Sequence, residues 1–491
     1  MALILSLDLG TSSVKSLLME EDGSVVCVVS QPYPTLSPRP GWSEQQPEEW
    51  IEAAVRAAAA CMERSGRKDI GVISLSGHMS GLVLVDKSGE PLLPCIPLAD
   101  SRSFEQSERL GKTHGARIRE CTGNPAIDAF QAPKLLWVKE RFPELYDRAA
   151  RFLFPKDYLR YRLTGRFATD STDAGNSLFF DAVKQAWDKP LAAEMGFRAD
   201  LLPDVLGPAE IAGALAKPMA ERLGLPEGIP VAAGAADMAT GALGTGAIEP
   251  GDTALTIGTS ATMLSVTGGF DDRGYGKVTF HPHALPGTMY ALGSHFSGGL
   301  SLNWLASLFH DTLSYERLQE LGASAAKVAP GSDGVLFLPF LAGGGSPRFD
   351  PHMRGSFAGL SVSTGRPGLF RAVLEGISYN LKETLALLEG MNPGAIGSIR
   401  VGGGGAKIGL WPGILANVFG KPVELLPQAD ASSMGAAMLG GVAVGMFPDL
   451  KAISRKLSQP AETVPPEPEA AAEYERHYAK YLKYCDFMGQ L

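Results

Sequence analysis

Cysteine is scarce in this chain of 491 residues: Cys27, Cys61, Cys95, Cys121 and Cys485 lie far apart, and none forms a Cys-x-x-Cys pair. An odd, scattered set excludes a disulfide scaffold and reads as free thiols in a reducing compartment. Histidine is also sparse, at eight residues. His281 and His283 lie close together, but no His-Glu-x-x-His run or Cys/His cluster accompanies them. They read as polar pocket or loop residues rather than zinc ligands. No stretch of 18 or more uncharged apolar residues is present, so no membrane-spanning helix is predicted. Met1-Ala2-Leu3-Ile4-Leu5 lacks a basic segment and a cleavage site, so no signal peptide is expected and the cytoplasm is the default. Basic charge is outweighed, with 44 Lys and Arg against 53 Asp and Glu and a net charge of −9. A nucleic-acid partner would want a basic stripe instead. An anionic small ligand is still allowed, because oriented backbone N–H groups bind phosphate in acidic proteins too.

Two familiar nucleotide motifs are missing. The segment 10–15 lacks the second glycine that a P-loop places before its lysine. Gly402-Gly403-Gly404-Gly405-Ala406 follows an expected strand at 399–401. A helix through Asn417 and a strand at 422–426 are expected after it. Glu424 stands about where a ribose-binding acid would, but Gly-x-Gly-x-x-Gly ends on Lys407 or Ile408, so a dinucleotide site fails. A loop letting backbone lie flat against adenine fits better.

Glycine is abundant instead, at 58 residues, about 12% against a usual value of roughly 7%. Much of the excess falls in short clusters, which suits backbone placed close to ligands. Hydrophobic residues at 45% and charged residues at 20% are ordinary for a globular chain, and this length predicts two to four domains. Short apolar runs at 3–7, 14–19 and 25–29 predict a meander of strands, with a turn signal at Glu21-Asp22-Gly23. Pro47 starts a helix with Trp50, Ala54, Ala58 and Met62 on one face. Strands are expected at 70–75 and 82–85, with a loop at 77–81 between them. Near the end, a Pro- and Glu-rich connector at 459–468 precedes a helix at 469–484.

The most informative feature is an internal echo. Leu9-Gly10-Thr11-Ser12 recurs as Ile257-Gly258-Thr259-Ser260, 248 residues later. Each copy sits between two apolar strands, which suggests a duplicated domain with a boundary near 246–251. A Gly-Thr-Ser turn can aim N–H groups and hydroxyls at one phosphate oxygen, although Gly, Ser and Thr are also ordinary turn residues. Asp8 precedes the first turn, and its counterpart in the second is Thr256. An acid there can hold magnesium or merely cap the loop. Asp237 follows a strand end at 231–234 and opens a helix. It reads as an N-cap, as a general base, or as both.

These residues belong to a wider resemblance. Phe130-Gln131-Ala132-Pro133-Lys134-Leu135-Leu136-Trp137-Val138-Lys139-Glu140 is similar to the first signature of the FGGY carbohydrate kinases, with Gln131 where a small residue is usual. Gly355-Ser356-Phe357-Ala358-Gly359-Leu360, ending in Ala372-Val373-Leu374-Glu375-Gly376, resembles the second and departs from it at Gly368. Pro155-Lys156-Asp157-Tyr158-Leu159, His283-Ala284-Leu285-Pro286, Phe337-Leu338-Pro339 and the run from Gly403 to Asn417 match as well. The resemblance spans residues 3 to about 440 and is nearest to the xylulokinase branch.

That resemblance implies an α/β fold of two duplicated ribonuclease H-like domains, of the actin-like ATPase type, with a central cleft. It implies residues 1–246 as the sugar-binding half with the first phosphate turn and catalytic acid, 247–458 as the nucleotide half, and 459–491 as connector and helix. The implied reaction moves a phosphoryl group from magnesium–ATP to a terminal hydroxyl of a ketose, D-xylulose first among pentuloses. Asp237 would be the base and Asp8 would stand near the metal. Thr11, Ser12, Ser13, Lys15, Gly258, Thr259 and Ser260 would line the phosphates. Gly299, Asn303, Gly404, Gly405 and Ala406 would lie along the nucleotide. His78, Met79, Ser80, Asp100, Arg102 and Asp237 would contact the sugar. Gly77-His78-Met79-Ser80-Gly81 departs from the usual Gly-Gln-Met-His-Gly, Leu98 replaces a tryptophan, and Gly344-Gly345 replaces Glu-Arg. A kinase for ribulose, another ketose, a polyol or gluconate is therefore the rival. An actin-like or chaperone-type ATPase with a conformational output is the rival from another class. The expected partners are a sugar and ATP, with no nucleic acid or membrane, and a homodimer is allowed.

Overall fold

The computed structural model describes residues 2–427 and 430–489. The chain forms two compact units. The first gathers Met1–Ile248, Phe280–Met289 and Asp430–Leu457, and the second gathers Glu249–Thr279, Tyr290–Ala429 and Ser458–Leu491.

In the first unit, strand Leu3–Leu9 is buried at all seven positions. Both faces of a central strand are covered, so it reads as a mostly apolar run, broken by Ser6 and Asp8, rather than as an apolar–polar alternation that exposes one face. It pairs antiparallel with Ser13–Met19, which pairs antiparallel with Val25–Pro32. On its other edge it pairs parallel with Ile70–Gly77, and that strand pairs parallel with Pro230–Ala232. Helix Pro47–Ser65 covers one face. Proline sits in its first turn, where an amide hydrogen has no helical partner anyway, and Gly66 closes it in the left-handed conformation. Trp50, Ala54, Ala58 and Met62 are all buried, as their spacing predicts.

The second unit repeats the plan. Strand Thr253–Ile257 pairs antiparallel with Ala261–Thr267, with Met289–His295 next beyond it. Its other edge pairs parallel with Ile399–Gly402, which pairs parallel with Val423–Leu425. The same strand order, with the same directions at the hairpin and the two parallel pairs, is the duplication that the echoed turns suggest. The two hairpin corners differ in length. Leu9 pairs with Val14 and Ile257 with Ala261, so the first corner holds one more residue than the second.

Three segments differ from the sequence reading. The segment 459–468 is more than a connector: Glu462–Val464 pairs antiparallel with Val423–Leu425 as a sheet edge. The Ala461 N–H donates to the Leu425 carbonyl (2.8 Å) and seats it. After the glycine cluster only a short 3₁₀ turn, Gly404–Lys407, forms, and the α-helix runs Trp411–Phe419 with proline in its first turn. Helices Ala431–Ala443 and Leu450–Leu457 cluster with the first unit, although the sequence division assigns them to the second half. Glycines explain the fit: a Cβ at Gly435 would lie 1.9 Å from the Thr240 carbonyl oxygen, and one at Gly244 2.0 Å from that of Ala431. Helices Asp237–Thr245 and Ala431–Ala443 therefore meet backbone to backbone. Among the described residues no helix is long and apolar enough to cross a membrane.

Candidate active site

In the first unit the acid-bearing strand ends at the hairpin corner. Asp8 pairs with Lys15 on one side and Ser76 on the other, which buries it. Its Oδ2 accepts from the Ser432 hydroxyl (2.9 Å) and the Ser433 hydroxyl (3.3 Å) at the start of helix Ala431–Ala443. Its Oδ1 is buried with no protein partner among the described residues. A buried carboxylate oxygen left without a donor is costly, and a cation would satisfy it. Lys15 bonds Asp430 through Nζ (2.6 Å) at the mouth of the same helix. Asp430, Ser432 and Ser433 escape a sequence reading because they lie some 420 positions from Asp8. Their one signal is an Asp just before a small-residue helix that carries two serines in its first turn.

The corner itself, Gly10 to Ser13, is held from behind. Tyr33 bonds the Gly10 carbonyl, Gln45 Nε2 donates to the Thr11 carbonyl (2.9 Å), and the Ser12 carbonyl accepts from the Tyr33 N–H (3.2 Å). With the carbonyls turned inward, the N–H groups of Thr11 and Ser12 have no protein acceptor among the described residues. Thr11 and Ser12 are exposed. Such a corner can take an anion.

Asp237 opens helix Asp237–Thr245. It is not the N-cap. Its Oδ1 accepts from the adjacent Met238 N–H (2.8 Å), and Ala236 occupies the cap position. The carboxyl keeps an edge open to solvent within dense protein. Burial, and after it the charge of Asp8, push its pKa up to about 7. A carboxylate poised near neutrality suits proton abstraction.

The sugar-loop candidates behave differently from one another. Ser80 lies in the left-handed region, φ 67°, and its carbonyl is tied by Lys134 Nζ (3.4 Å), which also holds those of Asp128 (2.9 Å) and Ala129 (2.6 Å). Met79 is buried. The His78 ring packs edge-on to Trp50 at 5.7 Å, and neither of its nitrogens has a protein partner among the described residues. Burial pushes its pKa down to about 4, so the ring is neutral. Asp100 and Arg102 are engaged with each other (2.8 Å), and Asp100 also accepts from the Ser43 N–H (2.6 Å). Arg102 reaches Glu44 (2.9 Å), with its guanidinium 3.8 Å from the Trp42 ring. These two sugar-loop candidates form a clasp with each other, with Glu44 and the Trp42 ring closing around the arginine. His283 is likewise structural, its Nε2 on the Ala247 carbonyl (2.9 Å).

The second unit assembles its own corner. Gly258, Thr259 and Ser260 are exposed. The N–H groups of Gly298 and Leu300 donate to Thr259 (3.0 and 2.9 Å), and that of Gly299 to Gly258 (2.7 Å). This laces the corner to helix Gly299–Leu308, one turn along which Asn303 stands exposed. Gly403 has φ 85°, and a Cβ there would lie 2.5 Å from the Ile257 carbonyl oxygen. The glycine cluster thus abuts the same strand end, with Gly404 exposed, Gly405 buried and Ala406 partly so. Corner, helix start and glycine loop form one surface. Glu424 bonds Ser398 and faces Arg400 in the sheet, so it is not a ribose ligand of a dinucleotide site.

Residues 3–244 match the N-terminal domain of the FGGY family of carbohydrate kinases, and residues 253–444 match its C-terminal domain. The chain belongs to that family. As an FGGY kinase it transfers a phosphoryl group to a sugar, with ATP as a substrate, on the actin-like ATPase fold. The xylulose kinase of Bacillus subtilis (strain 168) is 34% identical to this kinase over 483 residues, 98% of this chain and 96% of its own. The gluconokinase of the same strain is 30% identical over 481 residues, 96% of this chain and 93% of its own. A crystal structure of a xyloylose kinase from Brucella ovis superposes with a TM-score of 0.90 at 32% identity, covering 99% of both chains.

Proposed function

We propose that this FGGY kinase phosphorylates a terminal hydroxyl of D-xylulose, with Asp237 as general base. The observation that carries the mechanism is the carboxyl of Asp237, pushed up to about 7 at the head of its helix. The similarity to xylulose kinases over nearly the whole chain supports the substrate. Asp237 accepts the hydroxyl proton as the oxygen attacks the γ-phosphorus, so no free alkoxide accumulates. The N–H groups and hydroxyls of Thr11, Ser12 and Ser13, and those of Gly258, Thr259 and Ser260, neutralise phosphate charge, with Lys15 held near by Asp430. Gly299, Asn303, Gly404, Gly405 and Ala406 carry the nucleotide. Asp8 fits a magnesium ion, because its free Oδ1 is a ready oxygen ligand. Magnesium, when bound, would offset charge on the phosphates. The loop His78, Met79 and Ser80 faces the sugar, and the unpartnered nitrogens of His78 support hydroxyl recognition there. Asp100 and Arg102 brace that region. Five unpaired thiols favour a reducing compartment, and we place the enzyme in the cytoplasm.

A coupled ADP-release assay with D-xylulose, D-ribulose, glycerol and D-gluconate tests the reading. D-xylulose should give the highest kcat/KM. A higher value for D-gluconate assigns the chain to the gluconokinase activity that its B. subtilis relative carries. ADP release independent of any sugar overturns the Asp237 mechanism.

A further inference from the structure

Beneath the turn that carries Asp237 lies a closed group of charges. Lys156 Nζ stands 2.6 Å from Asp157, 2.8 Å from Asp170 and 3.2 Å from Asp173, and all four side chains are fully buried. Arg160 adds a second cation, 3.1 Å from Asp157. The three carboxylates are close enough to hold a metal ion, but the Lys156 ammonium already occupies their midst. Two cations face three acids, and burial pushes the Asp173 carboxyl well above the usual carboxylate range.

Besides a bond from Arg160 Nη2 to the Ala168 carbonyl, the group's outward bonds reach one short stretch of backbone before Asp237. Arg160 Nη1 donates to the Ala233 carbonyl (2.7 Å), and Lys156 Nζ lies 3.5 Å from the same oxygen. Three residues on, the Ala236 N–H donates to the Thr172 hydroxyl (2.8 Å). That hydroxyl donates in turn to Asp170 Oδ1, so its proton is committed and its lone pair must face Ala236. Between the two ties Gly234 has φ 74°, and a Cβ there would lie 2.1 Å from the Leu75 carbonyl oxygen. Ala236 also pairs with Gly77, and a Cβ on Gly77 would lie 2.7 Å from that of Lys156. The same buried charges therefore fix both ends of the turn before Asp237 and the glycine before His78.

Burying five ionisable side chains stabilises a fold no better than apolar packing of the same volume. A directional hydrogen-bond chain does something that apolar packing cannot: it fixes the backbone at the residue before the base. We propose that Thr172 is a positioning residue for phosphoryl transfer, holding Ala236 and through it Asp237, with Asp170, Lys156 and Arg160 as its anchor. This inference rests on Asp237 as the base.

Thr172→Ser keeps the hydroxyl, and Thr172→Val keeps the shape without it. Steady-state kinetics with whichever of D-xylulose and D-gluconate turns over faster, with Asp237→Asn alongside, separate the outcomes. Thr172→Val should lose about 10–100-fold in kcat, as a small misplacement of a catalytic group does, with the KM for ATP within about twofold of the parent. Thr172→Ser should stay within about threefold of the parent. If the valine variant does not fold, as judged by its melting curve, Thr172→Ala is read the same way. A folded hydroxyl-free variant with kcat within about twofold of the parent overturns the proposal, as does a serine variant as slow as the valine one. Should Asp237→Asn itself keep its kcat, the base assignment fails instead. Loss in Asp237→Asn with full activity in Thr172→Val sinks only the positioning role.

Discussion

Asp237→Asn should make this kinase worse and its fold more stable, in a pH-dependent way. The parent carboxyl titrates at about 7 in the folded chain against 3.8 when free. Each pKa unit is about 1.4 kcal/mol, so the ionised group costs the native state at most about 4 kcal/mol. The carboxyl keeps an edge open to water, and screening reduces that to about 1–2 kcal/mol. The sign follows from linkage. An acid whose folded pKa is raised keeps its proton longer in the native state. Its penalty therefore grows as pH rises from about 4 to about 7 and is complete above that. Asparagine carries no charge at any pH. Thermal melts of both proteins at pH 8.0 should show the variant higher by roughly 2–4 °C per kcal/mol of relief, and at pH 4.5 most of the gain should be gone. Sugar-dependent ADP release by the same variant should fall by about 10²–10⁴-fold, the usual loss for a general base. A lower melting temperature at pH 8.0, or an equal gain at both pH values, would refute the electrostatic account. Retained turnover would refute the catalytic one.

Asp8→Ala should weaken the magnesium dependence of turnover while leaving sugar affinity by calorimetry within about twofold, because the acid serves a cation and not the acceptor. Gly435→Ala places a Cβ 1.9 Å from the Thr240 carbonyl oxygen, and backbone cannot yield as a side chain can. A loss of at least about 1–3 kcal/mol in urea unfolding is expected, and an unchanged midpoint would contradict the close helix contact. Arg102→Lys should lower the melting temperature with little change in sugar KM. The reverse pattern would assign Arg102 to sugar contact rather than to the clasp.

The duplicated sheets were legible in the sequence because their inner strands are covered on both faces and so appear as short, mostly apolar runs. The Gly-Thr-Ser corners were legible because each is flanked by two such runs. Asp8 and Asp237 could be singled out because each is an acid at the end of an apolar strand, where charge is conspicuous. The partners of Asp8 could not, because Ser432 and Ser433 reach it only through a long-range packing of helices whose contact residues are glycine and alanine. Small residues carry no periodic signal strong enough to say which surface they touch. The clasp of Asp100 and Arg102 was illegible for a related reason. A charged pair two residues apart looks the same in sequence whether it faces a ligand or a tryptophan, and Trp42 closes over it from a distant loop. Thr172 was hidden by its chemistry, since a lone threonine gives no hint that its hydroxyl bridges an amide and a buried acid.

The first compact unit draws on three separated stretches of chain, the last being Asp430–Leu457. Its final helix pair sets Gly440 against Ser74 and Ile4, residues made at the beginning of synthesis. A ribosome therefore releases more than four hundred residues before the chain that began the first sheet meets its last cover. Until then one face of strands Leu3–Leu9 and Ile70–Gly77 stays without the helices that bury it, a surface that chaperones or premature association would find. A fragment cut at residue 248 would carry that uncovered face permanently and should be prone to aggregate, whereas adding residues 430–457 in trans should restore its solubility.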